Sequence, residues 1–211
     1  MGEFDKVHTG GGVLGARRQP TQRRSRERVE RILAATTELL EEGGSDALKM
    51  SEVAQRAQIP IGSLYQYFSD KTTLIAELAE RYNTEGRACV EEAFEQVEDL
   101  VGVVQALNAS VDGFYEMYVR YPAMRDIWGA TQADKVLRGL DEAEIAAHAA
   151  ILSRKLGELG RSSSSDEDEA LLLMHLLAAG VRLAMGLEPQ RSKVVLDGLK
   201  RMLAGSRLLE Q

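Results

Sequence analysis

Between Met50 and Leu74 the chain reads MSEVAQRAQIPIGSLYQYFSDKTTL, and the Ile59-Pro60 step in its middle decides how this stretch can fold. Proline brings no N–H to a helix interior and drives the residue before it out of the helical region. The pattern therefore predicts two short helices, Ser51 to Ala57 with Ser51 as N-cap, and Ile61 to Phe68 beyond the break. Ser69-Asp70 then caps a longer helix beginning at Lys71. Two short helices across a tight turn form a helix-turn-helix, in which the first braces the second against a DNA backbone and the second enters the major groove.

The chemistry of the second helix fits that use. At 100° per residue Ile61, Leu64, Tyr65 and Phe68 share a narrow arc, which predicts a packed face, while Gly62, Ser63, Gln66 and Tyr67 take the opposite side. Gly62 removes a side chain where a phosphate could approach the backbone, and Ser63, Gln66 and Tyr67 carry groups able to bond phosphates or base edges. Lys71 is a cation at a helix start, a placement the helix dipole disfavours and an adjacent phosphate would favour. Any one of these residues is by default ordinary solvated surface. As a set they point to nucleic acid.

A formal net charge of -7 argues against DNA only until its distribution is read. Residues 1–82 hold 12 Lys+Arg and 12 Asp+Glu, so the negative excess lies wholly beyond them. Over residues 17–31 Arg17, Arg18, Arg23, Arg24, Arg26, Arg28 and Arg31 face only Glu27 and Glu30, a local excess that can neutralise phosphates. A merely solubilising charged segment would look the same on composition.

Helical spacing dominates the rest. Val29, Ile32, Leu33, Thr36, Leu39 and Leu40 predict a helix over Thr21–Glu42 that Gly43-Gly44 stops. Further helices are expected near 71–97, 99–120, 123–131, 134–159, 167–186 and 190–207, divided by Tyr121-Pro122, the Leu159–Ser165 turn and Glu188-Pro189. No strand-like alternation survives counting.

Along residues 28–74 the sequence resembles the TetR family of regulators. RILAATTELLEEGG is similar to that family's first helix, SEVAQRAQIP to its second helix and turn, and IGSLYQYFSDKTTL to its recognition helix and the start of the next. The resemblance implies DNA contacts from Arg26, Ser51, Ser63, Tyr65, Gln66, Tyr67 and Lys71, alongside Gly62 from the helix reading. For Tyr65 it conflicts with the helical wheel, which turns that side chain inward. Gln58 stands where the family usually has glycine in the turn, which predicts a left-handed backbone there. Pro60 and Ile61 replace residues that are commonly polar or basic, so no operator sequence carries over, and Ser45 stands where an aromatic often packs.

The fold expected is all-α, about nine helices: a disordered arm over 1–20, a three-helix helix-turn-helix DNA-binding domain over 21–70, and a larger C-terminal helical bundle over 71–211 for ligand sensing and dimerisation. The segment EALLLMHLLAAGVRLAMG, 169–186, is apolar nearly all round and needs cover on more than one side. Ala178, Ala179 and Gly180 permit close backbone approach, and Val194, Val195, Leu196, Leu199, Met202 and Leu203 give the last helix a second apolar stripe. Together these resemble the family's paired dimerisation helices, which implies a homodimer through 167–186 and 190–207; a helix buried in one monomeric core is the alternative.

Phe114, Met117, Tyr118, Tyr121, Met124 and Trp128 cluster in the middle helices, where the resemblance implies a pocket for a small-molecule effector. His148 or His175 would supply a polar group. An aromatic stripe at helical spacing is more often core, and either histidine could simply be a satisfied core group.

Other classes find little support. No P-loop, G-x-S-x-G elbow or G-x-G-x-x-G occurs. Glu144 and His148, four apart, lack the second Glu/His pair a di-metal bundle would need, so no cofactor, metal or catalytic role is expected. A helical small-molecule-binding protein or metal enzyme without DNA binding is the alternative function. Cys89 has no partner for a disulfide, the first twenty residues lack a signal-peptide core, and the apolar run Ala170–Val181 is too short to span a membrane. The expected protein is cytoplasmic, has no membrane partner, and binds a palindromic double-stranded DNA operator as a dimer that a small molecule releases.

Overall fold

The computed structural model describes residues 18–161 and 163–209, with side chains from residue 23 onward. Residues 1–17 of the expected arm, and Ser162 of the serine turn, lie outside the described residues. The described residues form nine α-helices and one 3-10 turn, with no strand: α1 Arg18–Ala47, α2 Met50–Arg56, α3 Ile61–Tyr65, α4 Lys71–Glu95, α5 Leu100–Arg120, α6 Ala123–Ala133, α7 Lys135–Glu158, α8 Ser164–Met185 and α9 Pro189–Ala204, then Arg207–Leu209.

Helix α1 starts at Arg18 rather than Thr21, because proline is tolerated in a first turn, where its missing N–H has no intrahelical partner to lose. Its far end breaks at Gly44, φ 73° and ψ 175°, the left-handed geometry that glycine adopts without steric cost. The expected Gly43-Gly44 stop is therefore real, with one further turn beyond it. Helix α2 begins one residue early, with Lys49 as N-cap and no side-chain cap bond; Ser51 lies inside the first turn instead of capping it. Gln58 takes φ 55° in the turn to α3, the left-handed backbone that the family's usual glycine at this place implied.

Helix α3 has 5 residues, shorter than the expected run to Phe68. The chain continues as turns in which Tyr67 and Phe68 N–H groups still donate to the Leu64 carbonyl, at 2.9 and 3.0 Å. Asp70 then starts α4 with a capping box: its carboxylate accepts from the Thr73 N–H at 2.8 Å, and its own N–H donates to Thr73 Oγ1 at 3.2 Å. Asp70→Ala should lower unfolding free energy by about 1 kcal/mol, whereas Asp70→Asn, which keeps an acceptor, should change it little. Bonds from the Thr73 N–H and the Ser69 hydroxyl hold the Asp70 carboxyl below its ordinary range. Its contribution is thus present above the unfolded-state value of about 3.9 and is lost as pH falls through the lower folded-state value. Urea titrations should show the gap between wild type and Asp70→Ala narrowing in acid.

Helix α8 starts at Ser164, ahead of the expected 167, because Ser163 Oγ accepts from the Asp166 N–H at 3.3 Å and Asp166 and Glu167 complement the first turn.

Two apolar clusters organise the chain. One is built on Ile32, Leu40, Val53, Leu64, Phe68, Leu74 and Leu78, and also takes in Ala123, Ile127 and Leu137. The other packs Val90, Phe94, Leu107, Leu152, Leu156, Met174, Leu177 and Leu203 across α4, α5, α7, α8 and α9. Helix α4 contributes its first half to one and its second half to the other, while α6 lays Ala123 and Ile127 against α1. Arg81 of α4 also forks onto Glu30 of α1, at 2.7 and 2.8 Å. Helices α8 and α9 meet where Gly180 lacks a side chain: a Cβ there would fall 2.7 Å from Leu199 Cδ2.

The outer sides of this pair are apolar and uncovered. Leu172, Leu176, Ala179 and Leu183 line one face of α8, and Val194 and Met202 stand out from α9. No described helix is long and apolar enough to cross a membrane.

Candidate nucleic-acid interface and internal cavity

Helix α3 is anchored from below by Leu64, fully buried, and Phe68 just beyond the helix. Its outer side carries Ile61, Gly62, Tyr65 and Gln66, all exposed, with Ser63 half-buried at the flank. The wheel that turned Ile61 and Tyr65 inward is corrected here: they are 44% and 52% exposed. A helix this short touches its support through little more than one side chain, so positions either side of Leu64 in the wheel stay in solvent. Tyr65 therefore lies on the outer side of the helix-turn-helix and not in its core.

The remaining candidates surround that face. Tyr67 is half-buried against the helix-turn-helix core, and its hydroxyl accepts from Ser25 Oγ at 3.2 Å, tying α1 to the end of α3. Arg26, on the same early stretch of α1, is exposed. Arg24, Arg26 and Arg31 make no salt bridge among the described residues, since Glu27 pairs with Arg23 and Glu30 with Arg81. Ser51 is exposed in the first turn of α2. Lys71 is exposed and its Nζ donates to the Ser45 carbonyl at 3.4 Å, which holds it beside the end of α1. A Cβ built on Gly62 meets nothing within 4 Å, so nothing inside this molecule requires glycine there.

A second feature lies within the larger cluster. A narrow cavity of about 40 Å³ sits among α4 to α8, room for a few water molecules. Its walls are Tyr82, Asn83 and Gly86 of α4, Phe114, Met117 and Tyr118 of α5, Met124 and Trp128 of α6, Asp141, Glu144, Ile145 and His148 of α7, and Met174, Leu177, Ala178, Val181 and Arg182 of α8. Aromatic edges shape it: Phe114 and His148 are T-shaped at 5.3 Å, and Tyr118 and Trp128 at 6.4 Å. Burial pushes the Tyr118 hydroxyl well above the usual phenol range, so it stays neutral.

The charged groups in these walls are compensated. Arg182 Nη1 donates to both Asp141 carboxylate oxygens at 3.2 Å, and Arg87 binds Glu144 Oε2. His148 Nε2 is 3.1 Å from Glu144 Oε1 but without hydrogen-bond geometry, so both atoms lack a hydrogen-bond partner. Asn83 Oδ1 and Trp128 Nε1 are likewise buried and unpaired.

The expected effector residues divide. Phe114, Met117, Tyr118, Met124, Trp128 and His148 come together around the cavity. Tyr121 does not: it follows α5 and packs tilted against Tyr82, ring centroids 5.1 Å apart. His175 is corrected as well, lying exposed on the outer side of α8. Sequence reasoning missed Asn83, Asp141 and Arg182. The only signal for them was their polarity inside apolar stripes, and Arg182 meets Asp141 across 41 residues of chain. Cys89 is half-buried, and burial pushes its thiol up, away from nucleophilic use.

Comparison with known proteins adds the following. The family model for bacterial regulatory proteins of the tetR family matches residues 32–78, and that for the tetracyclin repressor-like C-terminal domain matches residues 101–210. The HTH-type transcriptional repressor KstR of Mycolicibacterium smegmatis is 46% identical over 50 residues, 24% of this chain and 24% of that protein. KstR of Rhodococcus jostii is 43% identical over 56 residues, 26% of each. The matched stretch thus spans about a quarter of the length of these curated relatives. Among solved structures, a TetR-family transcriptional regulator from Streptomyces coelicolor is 28% identical with a TM-score of 0.66, over 84% of this chain and 95% of the other. The SmeT-triclosan complex shares the fold at 18% identity, TM-score 0.65, over 88% and 95%.

Proposed function

The chain belongs to the TetR family of bacterial regulatory proteins, and from that premise we propose that it is a ligand-responsive transcriptional repressor of the cytoplasm. Residues 21–70 bind double-stranded DNA, and residues 71–211 hold the effector and form the homodimer. The observation that carries this reading is the outward face of α3, where Gly62, Tyr65 and Gln66 project from a helix whose buried anchor is Leu64. A polar, glycine-bearing face standing clear of the core can enter a major groove without rearranging the protein.

The repressor contacts its operator through Arg26, Ser51, Gly62, Ser63, Tyr65, Gln66, Tyr67 and Lys71. Arg26, Ser51 and Lys71 meet phosphates, and Gln66 reaches base edges. Tyr67 acts partly through the bond it accepts from Ser25, which sets α3 against α1. The dimer forms through the uncovered sides of α8 and α9, joining four helices about a two-fold axis. Two copies of α3 then lie about one DNA turn apart, matching a palindrome.

Release follows from shared walls. Tyr82 lines the cavity and also packs on the helix-turn-helix cluster, while α6 turns Met124 and Trp128 to the cavity and Ala123 and Ile127 to α1. An effector that spreads the cavity displaces α4 and α6, and with them the spacing of the two α3 helices. It shifts the equilibrium because it fits the spread state better than the DNA-binding state.

Gel shifts on DNA from directly upstream of the gene test the interface. Lys71→Ala should weaken retention several-fold and reduce the salt dependence by about one unit of slope, and Gln66→Ala should relax the sequence preference. Unchanged retention by both variants would remove α3 from the interface.

A further inference from the structure

From the atoms left unpaired in the cavity wall we infer that the effector is an uncharged, largely apolar molecule carrying a hydroxyl group; this rests on the reading of that cavity as the effector site. Asn83, Glu144 and His148 are 3%, 6% and 6% exposed; Asn83 Oδ1 and the Trp128 indole N–H have no hydrogen-bond partner, and Glu144 Oε1 and His148 Nε2 face each other at 3.1 Å without hydrogen-bond geometry. Buried polar atoms are nearly always satisfied, and leaving one bare costs its full desolvation. Of the six such bare atoms among the described residues, four belong to residues lining this cavity, while Arg28 Nε and Asn108 Oδ1 lie elsewhere.

Their chemistry selects the ligand group. Trp128 Nε1 can only donate, whereas Asn83 Oδ1 and Glu144 Oε1 can only accept. A hydroxyl does both, so one such group can serve a donor and an acceptor in the wall. Charge is excluded by the pairs already made. An anion would lie against Asp141 and Glu144, and a cation would compete with Arg182 and Arg87, which are committed to those same carboxylates.

The remaining walls are aromatic and aliphatic, with Met117, Met124 and Met174 among them. Flexible thioether side chains can repack around a ligand larger than the existing space. An apolar body is thus admitted by spreading the walls, the movement that release of DNA requires.

Trp128 is the chain's one tryptophan, so its emission reports this cavity directly. The full-length protein should be titrated with para-tert-butylphenol, para-tert-butylbenzoate, para-tert-butylbenzylamine and tert-butylbenzene, with free tryptophan amide as the control for collisional quenching. The phenol should perturb Trp128 emission and bind about tenfold or more tightly than each of the other three, a hydrogen-bond difference rather than one of size. Glu144→Gln, checked by circular dichroism, should shrink the phenol's lead over tert-butylbenzene. Tighter binding of the benzoate or the benzylammonium, or equal binding of the hydrocarbon, overturns the ligand class while leaving the cavity as the effector site. If none of the four perturbs Trp128, the cavity reading falls and this inference with it.

Discussion

Placing glutamates at Leu172 and Val194 together will convert the protein to a monomer that no longer retains operator DNA. Leu172 is 55% exposed on α8 and Val194 69% exposed on α9, so neither supports the monomer's own core. The core faces of those helices are Leu173, Leu177 and Val181, and Leu196, Leu199 and Leu203, which the change leaves intact. Across a two-fold axis each substitution occurs twice, and four carboxylates would have to be desolvated without cationic partners. Sedimentation should show the monomer, with a helical circular dichroism spectrum unchanged. Losing the second half-site removes the bivalent gain, so DNA affinity should fall by about a hundredfold or more. A double variant that stays dimeric would show that these faces do not form the interface.

Gly62→Leu separates stability from DNA binding by giving them opposite signs. Nothing lies within 4 Å of a Cβ at this exposed position, so the free protein can accept a side chain there without a clash. Replacing a helical glycine should leave stability equal or raise it by up to about 1 kcal/mol. On DNA the same side chain stands where the backbone must approach a phosphate. Retention should drop about a hundredfold, the scale of losing one or two good contacts. A variant that melts at or above the wild-type temperature and still binds normally would contradict the docking of α3 through this face. Loss of binding with loss of fold would show only that the position matters to the monomer.

Most of the helical architecture was legible because its signals are local. The Ile59-Pro60 break, the Asp70 cap and the Gly43-Gly44 stop each depend on a few adjacent residues and lie where expected, and the left-handed Gln58 is as the family resemblance implied. Errors arose where length or a distant partner decided the outcome. The wheel misplaced Ile61 and Tyr65 because it assumed a helix to Phe68, whereas α3 ends at Tyr65. Ser51 was expected to cap α2, but that helix begins one residue earlier.

The cavity follows the same rule. Aromatic and methionine residues on α5 and α6 pointed to its general place, while its polar wall depends on α4, α7 and α8 coming together. His175 and His148 look alike in sequence, each within an apolar stripe. Only packing distinguishes them, since His148 faces inward beside Phe114 and His175 lies on the exposed side of α8. Glu144 and His148 were visible as a pair four residues apart. That Glu144 Oε1 and His148 Nε2 face each other without a hydrogen bond, while Arg87 from α4 takes the other carboxylate oxygen, was not, because it depends on how the helices pack.

Hydroxyl-radical footprinting on the DNA upstream of the gene tests the whole account most directly. Two α3 helices held by one dimer should protect two backbone patches related by two-fold symmetry, their centres about 10 base pairs apart or a multiple of that. Gly62→Leu should erase both patches together. A single protected patch, protection without symmetry, or a footprint that survives Gly62→Leu would contradict it.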